Sequence, residues 1–487
     1  MILLLLAQAQ AIFTGNAACA PCHPAIYQSY QRTAMAQSSG PVDTVPAGAF
    51  RHPASGNQYR VASRGTASGR TFSHFIGSGA AGRSYMHTVD GFLFQAPITW
   101  YTQLARWDMS PGYELDSAPL WNRPLTPSCL FCHASQSRPI YATENRYADP
   151  PFLQNGVGCE RCHGPGSQHV AGQAKMVNPA KLEPARRDSV CAQCHLSGEV
   201  RVEKLGQPLA AFRPGELLST YATYFVLPGG RDAGVKATGY VERFAESRCK
   251  QASGDKLWCA SCHDPHSVPA PAQRVAYFRQ KCLACHTEPH PSQTAAAFLR
   301  GSGPDCIACH MPRERAVDGG HGVLTDHGIP RKPRPTPPAS GAWKLETFLG
   351  AGEPRETGLA YAEIGLRTGN RLQQDEAIRL LSPVPPDAAV AVRLGDLLQR
   401  QGQLARAEQL YRAAIRQPPA PIAALVNLGI IVGSRGEHEE AIRLWRSALQ
   451  QNPGQREASV NLARLLRAIG RPQEAALVEQ AARRFER

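Results

Sequence analysis

The sequence predicts a mostly α-helical chain with a large irregular share, built in two unlike parts. The first has few long elements and a small β-hairpin near residues 50–105; the second is an α-solenoid of helix pairs. Three observations predict this. Fourteen of the fifteen cysteines fall into seven Cys-x-x-Cys-His units, a Pro-rich basic stretch (IPRKPRPTPPASGAW) follows His327, and beyond it small residues recur every 34 positions. The 487 residues allow about two to four domains at roughly 150 residues each. With 43 Gly and 40 Pro, much of the chain must be irregular.

Residues 1–11, MILLLLAQAQA, hold a short apolar run and the small-residue pattern Ala7-Gln8-Ala9. They read as a signal peptide, although no Lys or Arg precedes Arg32. No stretch reaches the run of about 18 apolar residues that a spanning helix needs, so an integral membrane protein is not expected.

The seven units are Cys19, Cys22 and His23; Cys129, Cys132 and His133; Cys159, Cys162 and His163; Cys191, Cys194 and His195; Cys259, Cys262 and His263; Cys282, Cys285 and His286; and Cys306, Cys309 and His310. Two thiols three positions apart sit on one turn of chain, where each can add across a vinyl group of one porphyrin. The next residue then lies under the iron as proximal ligand. The reading is therefore seven covalently bound haem c groups, with these cysteines as thioethers and these histidines as proximal iron ligands. Structural zinc would need neither the adjacent His nor an odd number of units, and a redox dithiol does not explain the His. Cys249 is left over and reads as a buried structural thiol.

Each iron in an electron carrier needs a second ligand. The candidate distal histidines are His169 and His266, held just after their motifs in CERCHGPGSQH and CHDPH; His321 and His327 in HGVLTDH; and His52, His87, His290 and His74. Met35 is a rival ligand for the first haem and would raise its potential. His438 belongs to the repeats and reads as a solvated surface residue.

Seven haems over some 300 residues are too dense for separate globules, so they share one core. RSYMHTVDGFLFQAPITWY reads as a hairpin turning at Asp90-Gly91. The rhythm of the later motifs suggests two haem clusters joined by residues 196–256. The expected organisation is a signal peptide at 1–11, a heptahaem domain at 12–330, a semi-rigid linker at 331–345 and helical repeats at 346–487. Gly402, Gly436 and Gly470 are 34 residues apart, as are Ala407, Ala441 and Ala475, with Pro419 and Pro453 ending helices. That is the tetratricopeptide (TPR) period, and a degenerate earlier repeat lies near residues 356–381.

The formal charge is +14. About fourteen haem propionates would absorb it, so the excess Arg and Lys read as counter-ions and no nucleic-acid surface is expected.

TGNAACAPCHPAIYQSY, GVGCERCHGPGSQH, LWCASCHDPH and CIACHMPR leading to TDHGIPR together resemble multihaem c-type cytochromes of the cytochrome c-554 type, in forms with a C-terminal tetratricopeptide domain. The resemblance implies electron transfer through stacked haem pairs. Where such cytochromes place a distal His after the first haem, this chain has Thr33 in SYQRTAMAQS, and no Cys-x-x-Cys-Lys unit occurs.

The expected protein is a periplasmic or surface-exported electron carrier, an electron-transfer protein in preference to an enzyme. Its repeats would dock a redox partner protein, and its oligomeric state is left open. The rival reading is an oxidoreductase with one open haem, placed at Cys19, Cys22 and His23, acting on a small nitrogen or sulfur compound.

Overall fold

The computed structural model describes residues 12–227, 235–286, 305–330 and 344–486. The expected signal peptide, His290 and most of the Pro-rich linker lie outside the described residues.

The expected hairpin is the centre of a larger β region. Strand β1 (Ser39–Pro41) is followed by β2 (Gly48–Arg51), β3 (Gln58–Ala62), β4 (Thr66–Ala67) and β5 (Arg70–Thr71), of which β2 to β5 form a four-stranded antiparallel sheet. Next come β6 (His74–Ile76), β7 (Arg83–Val89), β8 (Phe92–Tyr101), β9 (Arg106–Met109) and β10 (Arg123–Pro124). A six-stranded sheet runs β1-β6-β7-β8-β10, with β9 on the other edge stretch of β8. The turn between β7 and β8 is Asp90-Gly91, with φ of 52° and 81°, the left-handed pair of a two-residue hairpin. Tyr59, Val61, Phe72, Tyr85, Ile98, Trp107 and Trp121 form the core between the two sheets.

The motif region is irregular, as its Gly and Pro content requires. Its short helices carry the motifs: Pro127–His133, Glu160–His163, Pro184–His195, Cys259–Cys262, Arg274–Leu283 and Cys306–His310. Strands β11 (Ser135–Pro139) and β12 (Tyr147–Gln154) pair, and β13 (Val200–Glu203) and β14 (Ala222–Val226) pair; so do β15 (Arg313–Arg315) and β16 (Val323–Thr325).

The repeats are four antiparallel helix pairs: Pro354–Thr368 with Arg371–Leu381, Ala388–Arg400 with Leu404–Ile415, Ile422–Ser434 with His438–Gln451, and Arg456–Ala468 with Pro472–Glu486. Asp387 caps its helix by accepting from the N–H groups of Ala389 and Val390. The small residues recur because the helices of a pair touch there. A Cβ on Gly395 would stand 2.6 Å from the Tyr411 ring, and one on Gly429 would stand 2.5 Å from Trp445.

The repeats are fastened to the motif region at both ends. Strand β17 (Glu346–Leu349) adds to β14, making the sheet β13-β14-β17. Val200, Val202 and Phe225 on one face of that sheet join the repeat core with Leu359 and Ile364. Arg367 pairs with Glu199, and Arg355 donates to the Glu203 carbonyl at 3.0 Å. At the far end Phe485 is buried against Phe92 and Phe94, while Arg484 pairs with Asp90 at 2.9 Å. Between them Asn122 donates to the Gly454 carbonyl at 2.9 Å, and Asn452 donates to Glu144 at 2.6 Å.

Phe485→Ala should lower the unfolding free energy by about 3 kcal/mol, since it empties a site filled by three rings. Calorimetry of the holo-protein measures this, and an unchanged Tm would mean the terminal helix does not fasten the β region.

Candidate functional site

Each Cys-x-x-Cys-His unit folds as one helical turn. The N–H of His23, His163, His263 and His286 each donates to the carbonyl of the first cysteine of its motif at 3.0 Å. That closes the turn, sets both thiols on one side and leaves the imidazole at its end. None of the fifteen cysteines is joined to another in a disulfide. Among the described residues, no three His, Cys, Asp or Glu side chains converge as ligands for a bare metal ion.

The motifs touch through their thiols. Cys19 meets Cys159, Cys132 meets Cys194, Cys191 meets Cys259, and Cys282 meets Cys306. The first contact is braced by the Cys159 N–H, which donates to Asn16 Oδ1 at 2.8 Å, and by Glu160, which accepts from the backbone of Thr14 and Gly15. The Arg201 and Arg161 guanidinium groups lie beside Cys132.

Helix Pro184–His195 is the junction. It packs against the helices of the second and third motifs. Its Gln193 donates to the Arg161 carbonyl at 3.1 Å, and its Arg187 lies over the Trp258 ring at 4.8 Å and donates to the Asp255 carbonyl at 3.1 Å. This one helix therefore adjoins the second, third and fifth motifs.

Three motif histidines face another imidazole. The ring centroids of His23 and His169 are 6.3 Å apart with planes 15° from parallel. For His163 and His266 the values are 5.8 Å and 10°, and for His263 and His327 they are 6.0 Å and 30°. Two metal–imidazole bonds of about 2 Å plus the ring radii put the centroids of an axial pair about 6 Å apart. The second nitrogens are tied as ligating imidazoles require. Nδ1 of His163 points at the Val177 carbonyl at 2.7 Å, that of His169 at Ala174 at 3.1 Å, and that of His327 at Thr325 at 2.9 Å. Such bonds fix the tautomer and leave Nε2 free for iron. Nδ1 of His133 and of His195 is buried with no partner. The Cys-x-x-Cys-His turns and the facing imidazoles fit a covalently bound haem, whose iron these histidines would hold.

The other candidate histidines are placed differently. His87 is buried, with Nε2 at 2.8 Å from the Trp121 carbonyl and Nδ1 at 3.2 Å from Arg70. His52 has Nε2 against the Glu114 carbonyl at 2.9 Å and Nδ1 against Ser55 at 2.8 Å. His321 has Nε2 against Asp108 at 3.0 Å and Nδ1 against Arg315 at 3.2 Å. In all three both ring nitrogens are occupied by the β region or its surroundings. His74 packs on Phe152 with a buried, unpartnered Nδ1. At the first motif, which the rival oxidoreductase reading gives the open haem, His169 stands opposite His23. Met35 packs in a turn where its carbonyl accepts from Val157 and Ser38. Cys249 lies near Cys262 and Cys282. Sequence reading passed over Arg161, Arg201 and Tyr224, which gather beside Cys132 and Cys194; the one signal was an Arg inside CERCH.

The tetratricopeptide repeat model matches residues 392–442 and 426–486, and the cytochrome c554 and c-prime model matches residues 113–164. The chain is 24% identical over 215 residues to the multiheme cytochrome MtrA of Shewanella baltica, covering 42% of this chain and 48% of that protein. It is 24% identical over 182 residues to the dissimilatory sulfite reductase MccA of Wolinella succinogenes, covering 33% of this chain and 22% of that one. It thus spans about half of one curated relative and about a fifth of the other. The crystal structure of the outer cell wall cytochrome OcwA aligns over 90% of this chain at 14% identity, with a TM-score of 0.43. No helix among the described residues is long and apolar enough to cross a membrane.

Burial, with Arg70 adding to it, holds His87 down to about 4, against about 6.5 in the unfolded chain. Between those values the unfolded state binds the extra proton, so this residue's contribution is full above pH 6.5 and fades as pH falls towards 4. His87→Gln should flatten that slope in pH-dependent unfolding; an unaltered slope would remove His87 as its source. Seven Cys-x-x-Cys-His turns, facing imidazoles, a segment at residues 113–164 that matches the cytochrome c554 and c-prime model and tetratricopeptide repeats within residues 392–486 make this chain similar to multihaem c-type cytochromes of the cytochrome c-554 type joined to a tetratricopeptide domain.

Proposed function

We propose that this protein is an exported electron-transfer cytochrome carrying seven haem c groups, with its repeat domain docking a redox partner protein. The observation that carries the reading is the unbroken succession of motif contacts. The first motif meets the third, the third meets the fourth through Gln193 and Arg161, the fourth meets the fifth, and the sixth meets the seventh. The helices of the fifth and sixth motifs pack together, and the second motif joins the fourth as a side branch. Each bound haem supplies one-electron iron(III)/iron(II) chemistry. The chain's own residues would fix where those groups sit, and the facing pairs His23/His169, His163/His266 and His263/His327 would supply the imidazoles for three of the irons. Imidazole pairs without methionine favour low potentials.

Covalent haem attachment and a chain with so many thiols support export to the periplasm or cell surface. On the repeats, Ile430 and Val460 stand 40% exposed on the first helices of successive pairs, apolar points of the kind a docked protein covers. The name of the Wolinella relative, a sulfite reductase, keeps the rival reading of an oxidoreductase for a small nitrogen or sulfur compound.

Pyridine haemochromogen analysis against protein mass should give seven haems per chain, and fewer would end the heptahaem reading. Cys191→Ala/Cys194→Ala should remove the junction haem. After pulsed reduction, equilibration among the remaining six should slow at least tenfold, whereas unaltered equilibration would rule out helix Pro184–His195 as the junction. His169→Ala, His266→Ala and His327→Ala should each convert one low-spin haem to high spin in electron paramagnetic resonance.

A further inference from the structure

The histidines run short. Sixteen occur in the chain. Seven are proximal, three face a motif histidine, and His52, His87 and His321 have both nitrogens occupied. Only His74, His290 and His438 remain for four motif histidines, His133, His195, His286 and His310. His438 begins a repeat helix. So at least one of these four irons has no second imidazole.

Two of the four adjoin a set of buried donors without partners. Strands β13 and β14 place Arg201 directly opposite Tyr224. Their neighbours Val200, Val202 and Phe225 turn to the repeats, so alternation turns Arg201 and Tyr224 to the motifs. Tyr224 is fully buried, packed with Phe131, Cys132 and Cys194, and its hydroxyl has no partner within hydrogen-bonding distance, with the Arg201 guanidinium beside it. Arg161 lies over the Phe131 ring at 3.9 Å and donates through Nη2 to the Phe131 carbonyl at 3.0 Å, which leaves Nε buried and unpartnered. A hydroxyl and a guanidinium N–H left unpaired in the interior cost free energy that an acceptor would recover. Two guanidinium groups, which can only donate, and a phenol O–H with no acceptor of its own are the complement of an oxyanion. No carboxylate is hydrogen-bonded to any of the three.

Resting on the multihaem reading, we infer that Arg161, Arg201 and Tyr224 form a receptor for a small oxyanion beside the haems of the second and fourth motifs, two of the four among which at least one iron lacks a second imidazole. The oxyanion is either a free one or a haem propionate, and both meet the same donors.

The test uses the fully loaded holo-protein, with Tyr224→Phe and Arg201→Gln as variants and Arg201→Lys as the conservative control. Haem content of each variant is checked first. Near-infrared magnetic circular dichroism counts imidazole pairs, and nitrite or sulfite is titrated while the haem spectrum is followed. At most six imidazole pairs are expected. If the receptor takes a free oxyanion, either anion perturbs the wild-type spectrum, and Tyr224→Phe weakens that response at least tenfold. If it holds a propionate, added anion does nothing, but both glutamine and phenylalanine variants shift the potential of one haem and its pH dependence, with Arg201→Lys in between. Seven imidazole pairs would overturn the assignment of the iron. Variants that alter neither the anion response nor any potential would overturn the receptor. Neither result would touch the haem count or the equilibration rate on which the electron-transfer reading stands.

Discussion

A covalently attached cofactor fixes its position by fixing a short piece of chain, and that constraint governs this protein. Seven helical turns, each holding two thiols and an imidazole, have to come within reach of one another. Little regular structure can grow between them. The chain answers with turns, strands of two to ten residues and the 12-residue helix Pro184–His195, which adjoins three other motif segments. Ser189, Ala192 and Gln193 of that helix are buried, because its sides face other motifs.

The sheet β13-β14-β17 does a second job at the same place. One face, Val200, Val202 and Phe225, is the floor on which the first repeat helix packs, and the other presents Arg201 and Tyr224 to the haem motifs. A two-faced strand pair thereby joins the solenoid to the electron path, and burial is complete on both sides at Tyr224 and Phe225. With Phe485 seated on Phe92 and Phe94 at the other end, the repeats are held as part of one structure, and a docked protein would sit at a fixed offset from the motifs.

The motif turns, the hairpin at Asp90-Gly91, the repeat period and its small residues were legible in the sequence because each depends on spacing within about ten to forty residues. The extent of the β region was not. Strands such as β1, β6 and β10 are two or three residues long and acquire their partners only in the sheet. Equal-looking histidines were also unresolved. His169 and His87 both lie among polar neighbours in the sequence, yet one faces His23 and the other is locked between Arg70 and the Trp121 carbonyl.

The sequence by itself determined where the Cys-x-x-Cys-His turns lie and the kind of repeat, since a helical turn and helix-pair stacking are set by residue type at short separations. Tertiary structure alone decided which imidazole faces which motif, which helix is the junction, and where buried donors gather without acceptors. Those depend on residues far apart in the chain, such as His23 and His169 or Arg161 and Tyr224, whose meeting is fixed only when the intervening turns are packed.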